Sequence, residues 1–224
     1  MKTQKMLSGL FLFVIMATFP YVLKAQETTE KKSMIYPTLG VGLGFFYPSD
    51  VNKYVETVIA SGYDYTVNTQ IYMYVEVKGG LTFRIKKADF TAALEYDIAP
   101  KYIAVTNGSS FSYTYSRVAP EITANYYLPN KSGKNAFLIG GGISYSFIKF
   151  KEFTGSAPGF KIQAGYSMQF SKINIQPYFA FRYVQAVDNN ISAGYKENQT
   201  SFDLSYTGGQ IGIILSFHSR MLYR

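Results

Sequence analysis

The sequence contains no cysteine and a single histidine, His218, among its 224 residues. Without cysteine, the chain has no disulfide framework, no thiol nucleophile and no zinc–thiolate site. A single histidine excludes metal sites built from several histidines, and any serine–histidine–acid triad would have to use His218. We therefore expect no metal and no other cofactor.

Charged residues are also scarce, at 16% of the chain against about 25% in typical proteins. Lysine and arginine number 22 against 14 aspartates and glutamates, which gives a formal net charge of +8. No basic stripe or nucleic-acid motif accompanies this charge, so we expect no nucleic-acid partner. Aromatic residues are abundant instead, with 21 tyrosines and 18 phenylalanines.

The N-terminal segment has the features of a secretory signal. Lys2 and Lys5 form a basic start, and residues 7–19 form an apolar run. This run is too short to span a bilayer as a helix, which takes about 20 residues. We therefore predict a cleaved signal peptide at 1–25 and a flexible lead-in at 26–37. The alternative is an N-terminal membrane anchor.

The remainder of the chain alternates between apolar and polar residues with a period of two, which is typical of β-strands. In one segment Phe160, Ile162 and Ala164 share one face, whereas Lys161 and Gln163 share the other. No apolar run of 18 or more residues follows the signal, so helical membrane spans are not expected. We predict eight strands, at 38–47, 70–85, 89–98, 111–128, 135–149, 158–170, 173–187 and 201–217.

The two faces of these strands differ in charge. The apolar faces, which include the even positions 202–206 and the odd positions 211–217, carry no charged residue. The opposite faces carry ten charges, which we assign to the interior of a barrel: Glu76, Lys78, Arg84, Glu95, Asp97, Arg117, Glu121, Lys161, Arg182 and Asp203. A bilayer would produce this segregation, because a lysine or arginine at its midplane costs about 2–4 kcal/mol.

The pattern therefore predicts an all-β protein, an eight-stranded antiparallel up-and-down transmembrane β-barrel at residues 38–217. Ten residues at about 3.3 Å each, tilted by about 45°, give a height of roughly 23 Å, close to the apolar band of about 25 Å in such barrels. The abundant Tyr and Phe suit its interfacial girdles. A soluble sandwich, or a soluble calyx barrel for lipids, would show the same alternation and remains an alternative.

Connection lengths support an up-and-down order, since short turns and long loops are expected at opposite ends. Short turns are predicted at 86–88, 129–134 and 171–172. Longer loops are predicted at 48–69, 99–110 and 188–200, with a shorter one at 150–157.

Three features interrupt the regular pattern. Pro120 and Pro177 fall inside predicted strands, where we expect bulges, locally open hydrogen bonding or misplaced strand limits. The apolar face changes parity near the C-terminus, which predicts a bulge at Gly208-Gly209. Inward-facing glycines would leave room locally: Gly40, Gly42, Gly44, Gly140 and Gly142.

The last strand carries a family resemblance. Its residues Gln210, Gly212, Leu215 and Phe217 follow a polar–glycine–apolar–aromatic pattern. This pattern resembles the C-terminal signal by which barrel assembly machinery recognises outer-membrane barrels. The chain thus resembles the small eight-stranded outer-membrane barrels of Gram-negative bacteria, the porin family that includes the OmpA-barrel, OmpX and OmpW groups. The seven residues 218–224 form a tail beyond the signal.

The resemblance implies a location in the cell outer membrane and a monomeric state. It also implies two partners, the assembly machinery and the lipids of that membrane, including lipopolysaccharide. Four loop lysines would meet lipopolysaccharide phosphates as point charges: Lys101, Lys149, Lys151 and Lys196. An extracellular ligand is not indicated.

The ten interior charges allow two interpretations. Eight strands leave an interior just wide enough for side chains, so a balanced set is expected to pair into a plug. The alternative is a narrow, gated ion path. Some barrels of this size are lipid A hydrolases or acyltransferases that use histidine with serine, but His218-Ser219 lies beyond the last predicted strand, and we expect no enzyme.

The first long loop is expected to contain a short helix. Ser49 and Asp50 are suited to cap it. The apolar residues that follow at helical spacing are Val51, Tyr54, Val55 and Val58. Such a helix could cover the barrel mouth or lie at the lipid headgroups. The leading functional hypothesis is a porin-like or structural membrane protein, with binding or slow passage of small molecules left open. The alternative is surface recognition or adhesion through the extracellular loops.

Overall fold

The computed structural model describes residues 34–55, 65–67, 71–100, 102–106, 109–130, 135–170, 173–189 and 201–217. The chain divides into two units, Met1–Met34 and Ile35–Arg224, and apart from Met34 every described residue belongs to the second. The predicted signal peptide, most of the lead-in and the 218–224 tail lie outside the described residues.

The described chain consists almost entirely of strands, with one short helix. The elements in chain order are β1 (Met34–Phe46), α1 (Ser49–Tyr54), β2 (Tyr65–Val67), β3 (Met73–Ile85), β4 (Ala88–Ile98), β5 (Tyr102–Thr106), β6 (Ser109–Tyr113), β7 (Tyr115–Pro129), β8 (Asn135–Phe150), β9 (Phe153–Phe170), β10 (Ile173–Val184), β11 (Val187–Asp188), β12 (Phe202–Asp203) and β13 (Tyr206–Phe217).

Eight of these strands form a closed antiparallel barrel in the order β1-β13-β10-β9-β8-β7-β4-β3. Because β13 pairs with both β10 and β1, the last strand closes the barrel against the first. The prediction of an all-β, eight-stranded antiparallel barrel is confirmed. Closure leaves no free strand edge within the barrel wall.

Burial alternates along each strand, as the pleat requires. On β1 Leu39, Val41 and Leu43 are 45–57% exposed, whereas Gly40 and Gly42 between them are buried. The outward residues are apolar and the inward ones are small or polar. The distribution of apolar and polar side chains is therefore the inverse of that in a soluble globular protein.

The two ends of the barrel differ. At one, called the turn end, β3 joins β4 through Lys86-Lys87, with Lys86 at φ 52°, and the segments 130–134 and 171–172 make the other connections. The opposite end, called the loop end, has the long connections 47–72, 99–114 and 185–205. Short turns at one end and long loops at the other follow the predicted arrangement.

The loop end contains structure of its own. Strands β2, β5 and β6 form a three-stranded sheet, and β11 and β12 form a two-stranded one. The predicted loop 150–157 is instead a tight turn at Lys151-Glu152, with Lys151 at φ 54°, because β9 begins at Phe153. The β8–β9 hairpin is therefore longer than the alternation suggested.

The predicted bulge at Gly208-Gly209 is wrong. Strand β13 pairs with β10 in unbroken register, with Tyr206 opposite Val184 and Ile211 opposite Phe179. Tyr206 and Gln210 both face the interior. The assignment of the even positions 202–206 to the outer face is wrong as well, because these aromatic and apolar side chains pack inside the loop end.

The two prolines are accommodated by local opening of the ladder without a bulge. Pro120 pairs normally with Leu94 on β4, but the β7–β8 pairing stops at Val118 and resumes at Glu121 in the same register. The β9–β10 pairing is interrupted at Pro177 in the same way. A proline lacks the N–H that the ladder needs on one side, so the loss stays confined to one neighbour.

The helix α1 forms where the apolar spacing predicted one, but its capping differs. Its N-cap is Pro48, which makes no side-chain hydrogen bond to the first turn, so the predicted N-cap at Ser49 or Asp50 is wrong. The Asp50 carboxylate instead accepts a hydrogen bond from the backbone N–H of Asp203 at 3.0 Å. No helix within the described part of the chain is long and apolar enough to cross a membrane.

Candidate functional site

The middle of the barrel interior is filled by ionised side chains, which we call the charge layer. Its members come from β3, β4, β7, β9 and β10, and each is at most 8% exposed. They are Glu76, Lys78, Glu95, Asp97, Arg117, Glu121, Lys161 and Arg182. Strand β1 contributes no charge, and its inward glycines face this layer.

Arg182 is the hub of the charge layer. Its Nη2 lies 2.6 Å from Glu95 Oε2 and 3.0 Å from Glu76 Oε2, and its Nη1 lies 3.3 Å from Asp97 Oδ2. Because a guanidinium presents five donors in a planar fork, one buried arginine can serve several carboxylates. These contacts join β10 to β3 and β4 across the barrel.

Two further cations complete the pairing. Arg117 Nη1 contacts Asp97 Oδ2 at 2.6 Å and Glu95 Oε2 at 3.2 Å, while its Nε donates to Ser146 Oγ at 2.8 Å. Lys161 contacts Glu121 and, at 3.3 Å, Glu95 Oε1. Buried ions need such partners, because an uncompensated charge in the interior is strongly destabilising.

Lys78 is held more loosely. Its Nζ lies 3.7 Å from Glu76 Oε1 and 4.6 Å from the centre of the Tyr178 ring. Tyr178 in turn donates to Glu76 Oε1 at 2.9 Å and accepts from Gln210 Nε2 at 2.7 Å. A Cβ at Gly40 would lie 2.7 Å from Lys78 Cε, so this glycine makes room for the lysine stem.

Nine of the ten predicted interior charges lie inside the barrel, the eight of the charge layer and Arg84. Arg84 lies nearer the turn end, where its Nε donates to the Lys86 carbonyl at 3.2 Å and its guanidinium stacks 4.0 Å from the centre of the Tyr127 ring. Asp203 was assigned wrongly. It lies on β12, outside the barrel strands, because the last barrel strand begins only at Tyr206.

Asp89 is the interior acid that the sequence interpretation missed. It is 2% exposed, accepts from Asn125 Nδ2 at 2.9 Å and accepts from Tyr127 Oη. It shares odd parity with Glu95 and Asp97 on β4 and is the first residue of the strand predicted at 89–98, so including that first position in the inward face would have found it. With Asp89 in place of Asp203, the interior holds five acids and five bases.

Apolar side chains close the loop end above the charge layer. We call this set the mouth cluster: Phe46, Val51, Tyr54, Val55, Ile71, Tyr74, Ala99, Tyr115, Ile148, Phe150, Phe153, Ala157, Val184, Ala186, Phe202, Leu204 and Tyr206. Phe153 and Phe202 stack face to face with ring centres 3.9 Å apart. The cluster is apolar toward the loops, and Tyr206 Oη accepts from Arg182 Nη1 below it at 3.3 Å.

Helix α1 supplies the outer part of the mouth cluster, and hydrogen bonds hold it in place. Asn52 is fully buried, donates to the Ile71 carbonyl at 3.2 Å and accepts from the Ile71 N–H at 2.6 Å. Lys151 Nζ donates to Tyr54 Oη at 2.7 Å. Burial lowers the pKa of Lys151, but this hydrogen bond and the Glu152 carboxylate outweigh burial and raise it above its usual value.

The outer surface of the barrel is a continuous apolar belt to which all eight strands contribute. Its members are between 37% and 65% exposed: Leu39, Val41, Leu43, Phe45, Val75, Val77, Leu81, Phe90, Leu94, Tyr96, Tyr126, Leu128, Phe137, Ile139, Ile143, Phe147, Phe160, Ile162, Phe170, Phe179, Phe181, Tyr183, Ile211, Ile213 and Phe217. Within the barrel strands one charged side chain faces outward, Lys149, at the loop end of β8.

The residues of the predicted assembly signal lie on β13, which closes the barrel. Gln210 is buried inside, whereas Phe217 is 38% exposed on the outer face. Gly212 lies opposite Gly42 on β1, and Leu215 lies opposite Leu39.

The predictions for several other residues lie outside the described part of the chain. They concern His218, Ser219, Lys101 and Lys196. No group of three or more histidine, cysteine, aspartate or glutamate side chains in the described ranges is arranged to hold a metal ion.

A closed eight-stranded antiparallel barrel with an apolar outer belt and a charged interior is the architecture that this geometry defines. Among solved structures, the chain is similar to Neisserial surface protein A, with a TM-score of 0.52 and 10% sequence identity; the match covers 83% of this chain and 98% of that one. At this identity the likeness concerns the fold. No protein-family model and no curated protein matches the sequence.

Proposed function

We propose that this protein is an integral barrel of the cell outer membrane, inserted after removal of a signal peptide, with a closed interior and a structural role. The observation that carries the proposal is the apolar belt. An exposed apolar surface around a whole barrel is far larger than soluble monomers tolerate, and it fits the lipid-facing band of a membrane barrel. Closure of the barrel also gives the backbone N–H and C=O groups of the strands hydrogen-bond partners that lipid cannot provide.

The interior supports a plugged barrel over an open porin. The charge layer pairs basic with acidic side chains across the barrel, and the mouth cluster covers it on the loop side. An ion entering from the loop end would have to displace both. The ion pairs of the charge layer would therefore have to break before ions could pass through the barrel.

Surface recognition is the second candidate. The loop end holds the helix and all five additional strands, whereas two of the turn-end connections are two residues long. Elaborated structure at one end of a barrel is suited to binding a partner outside the membrane, because loops on a rigid scaffold commonly carry recognition. A lipid-binding calyx in the periplasm is less favoured, because its outer face would be polar.

We further propose that the barrel assembly machinery recognises β13 through Gln210, Gly212, Leu215 and Phe217, and that Lys149 and Lys151 contact lipopolysaccharide phosphates. Both lysines lie at the loop end beyond the apolar belt. The protein would act without catalysis and as a monomer.

Single-channel recording of the folded protein in planar bilayers tests the proposal. Folding is verified first by heat-modifiable migration in gels and by the requirement for detergent. We expect no discrete openings from a folded protein. Reproducible openings whose ion selectivity changes on Arg182→Glu or Glu121→Lys would instead establish a conducting path, and a folded barrel that needs no detergent would establish the soluble alternative.

A further inference from the structure

A cavity of about 20 Å³, walled by both polar and apolar side chains, lies in the barrel interior between the charge layer and the turn end. Lys78, Gln163, Asp89 and Glu121 are among the residues that line it. A cavity needs about 10–15 Å³ of this kind of space to hold one water molecule, and the water needs two to four polar partners. Its size and its walls therefore suit a single small polar molecule.

Lys78 is an ammonium that lacks close partners. It is 8% exposed, and among the described residues its Nζ makes no hydrogen bond, only the 3.7 Å contact with Glu76 and the contact with the Tyr178 ring. The other cations of the charge layer all have ion pairs of 3.3 Å or less. An ammonium has three donors, and leaving them unmade in the interior is costly.

Gln163 presents the complementary group. Its Nε2 donates to Asn125 Oδ1 at 2.6 Å, but its Oε1 is buried without a hydrogen-bond partner among the described residues. Among the described residues, the same cavity is therefore lined by a lysine whose Nζ donates no hydrogen bond and by a glutamine whose Oε1 accepts none. Buried polar atoms of both kinds are rarely left unsatisfied.

We propose that this cavity is a binding site for one water molecule that accepts a hydrogen bond from Lys78 and donates one to Gln163. Water is selected by its chemistry, because it can accept and donate at once. A halide could accept from Lys78 but could not donate to Gln163, and it would be repelled by Asp89 and Glu121. A metal cation would be repelled by Lys78.

The site goes beyond the proposed function, since it assigns a solvent ligand to the interior whether or not the barrel conducts. It explains how the charge layer retains a lysine without a close ion pair, because a bound water supplies the polar contact that the protein does not. Water bridging two polar groups is nearly as favourable as a direct hydrogen bond.

The test is a high-resolution crystal structure of the folded protein in detergent, grown in sodium bromide and measured near the bromine absorption edge. We expect a peak without anomalous signal, within about 2.7–3.2 Å of both Lys78 Nζ and Gln163 Oε1. Gln163→Leu removes the acceptor, and the peak should be lost. Ser146→Ala removes an interior hydroxyl that accepts a hydrogen bond from Arg117 and does not line the cavity. This variant should leave the peak in place.

Two results would overturn the proposal. An anomalous bromide peak would define an anion site. A map without a peak, in which Lys78 Nζ donates directly to a carboxylate, would show that the protein satisfies the lysine unaided. If Gln163→Leu does not fold, the wild-type map decides, because it shows whether the peak contacts both Lys78 Nζ and Gln163 Oε1. Ser146→Ala then still shows whether an interior substitution outside the cavity removes the peak.

Discussion

Arg182 and Glu95 meet inside the barrel with Nη2 and Oε2 2.6 Å apart, and neither side chain is more than 1% exposed. Glu95 also receives Arg117 and Lys161, so it is the carboxylate shared by three cations. Glu95 therefore couples β4 to β7, β9 and β10 at the centre of the charge layer.

Breaking this pair from either side should destabilise the barrel strongly. We expect Glu95→Gln and Arg182→Met each to lower the free energy of unfolding by about 3–5 kcal/mol, since each leaves buried charges without a partner. Denaturant titration followed by gel mobility measures the loss. The double variant should lose less than the sum of the two. A strictly additive result would show that the two side chains do not interact in solution.

Gly44 on β1 and Gly79 on β3 should differ in how well they tolerate substitution. A Cβ at Gly44 would overlap the ring of Tyr74, whereas a Cβ at Gly79 would make an ordinary contact of 3.5 Å with Leu39. We expect Gly44→Ala to impair folding and Gly79→Ala to have little effect, since overpacking typically costs about 1–3 kcal/mol. Refolding yield in detergent compares them. Equal yields would show that the Tyr74 ring moves aside easily.

A charge placed in the apolar belt should test whether lipid covers the belt. Ile162 is 60% exposed on the outer face of β9, and Thr154 is exposed on the same face at the loop end, beyond the belt. If lipid covers the belt, Ile162→Arg should cost about 2–4 kcal/mol in vesicles, and Thr154→Arg should cost far less.

The measurement is the unfolding free energy of both variants in phospholipid vesicles. Similar, near-zero costs for the two variants would contradict a membrane position and favour a water-exposed barrel.

The bonds between Asn52 and Ile71 should hold α1 over the barrel mouth. Asn52→Ala leaves the Ile71 N–H and carbonyl without these partners, which should cost about 1–3 kcal/mol locally. Hydrogen exchange of the Ile71 amide should accelerate, whereas amides in the middle of β9 should not change. Lys53→Ala, one residue along on the exposed face, is the control and should leave the Ile71 amide protected.

The alternation of side chains, as in β9, was sufficient to predict the eight barrel strands and most of their faces. It failed where the chain leaves the barrel wall. Phe202 and Leu204 continue the period-two pattern but pack in the mouth cluster, so their apolar character did not identify what covers them. The same error placed Asp203 inside, whereas Asp89 was left out because the inward face of β4 was not followed to the first residues of the strand.

The sequence by itself determined the class of fold, because strand pleating and the division of side chains between the outer face and the interior are local and leave a mark at every second residue. Only the tertiary structure decided which interior charges pair, since Arg182 and Glu76 are 106 residues apart and meet through the barrel register. It also decided that α1 closes the mouth and that a cavity adjoins Lys78. Such contacts depend on distances across the closed barrel, which no pattern along one strand contains.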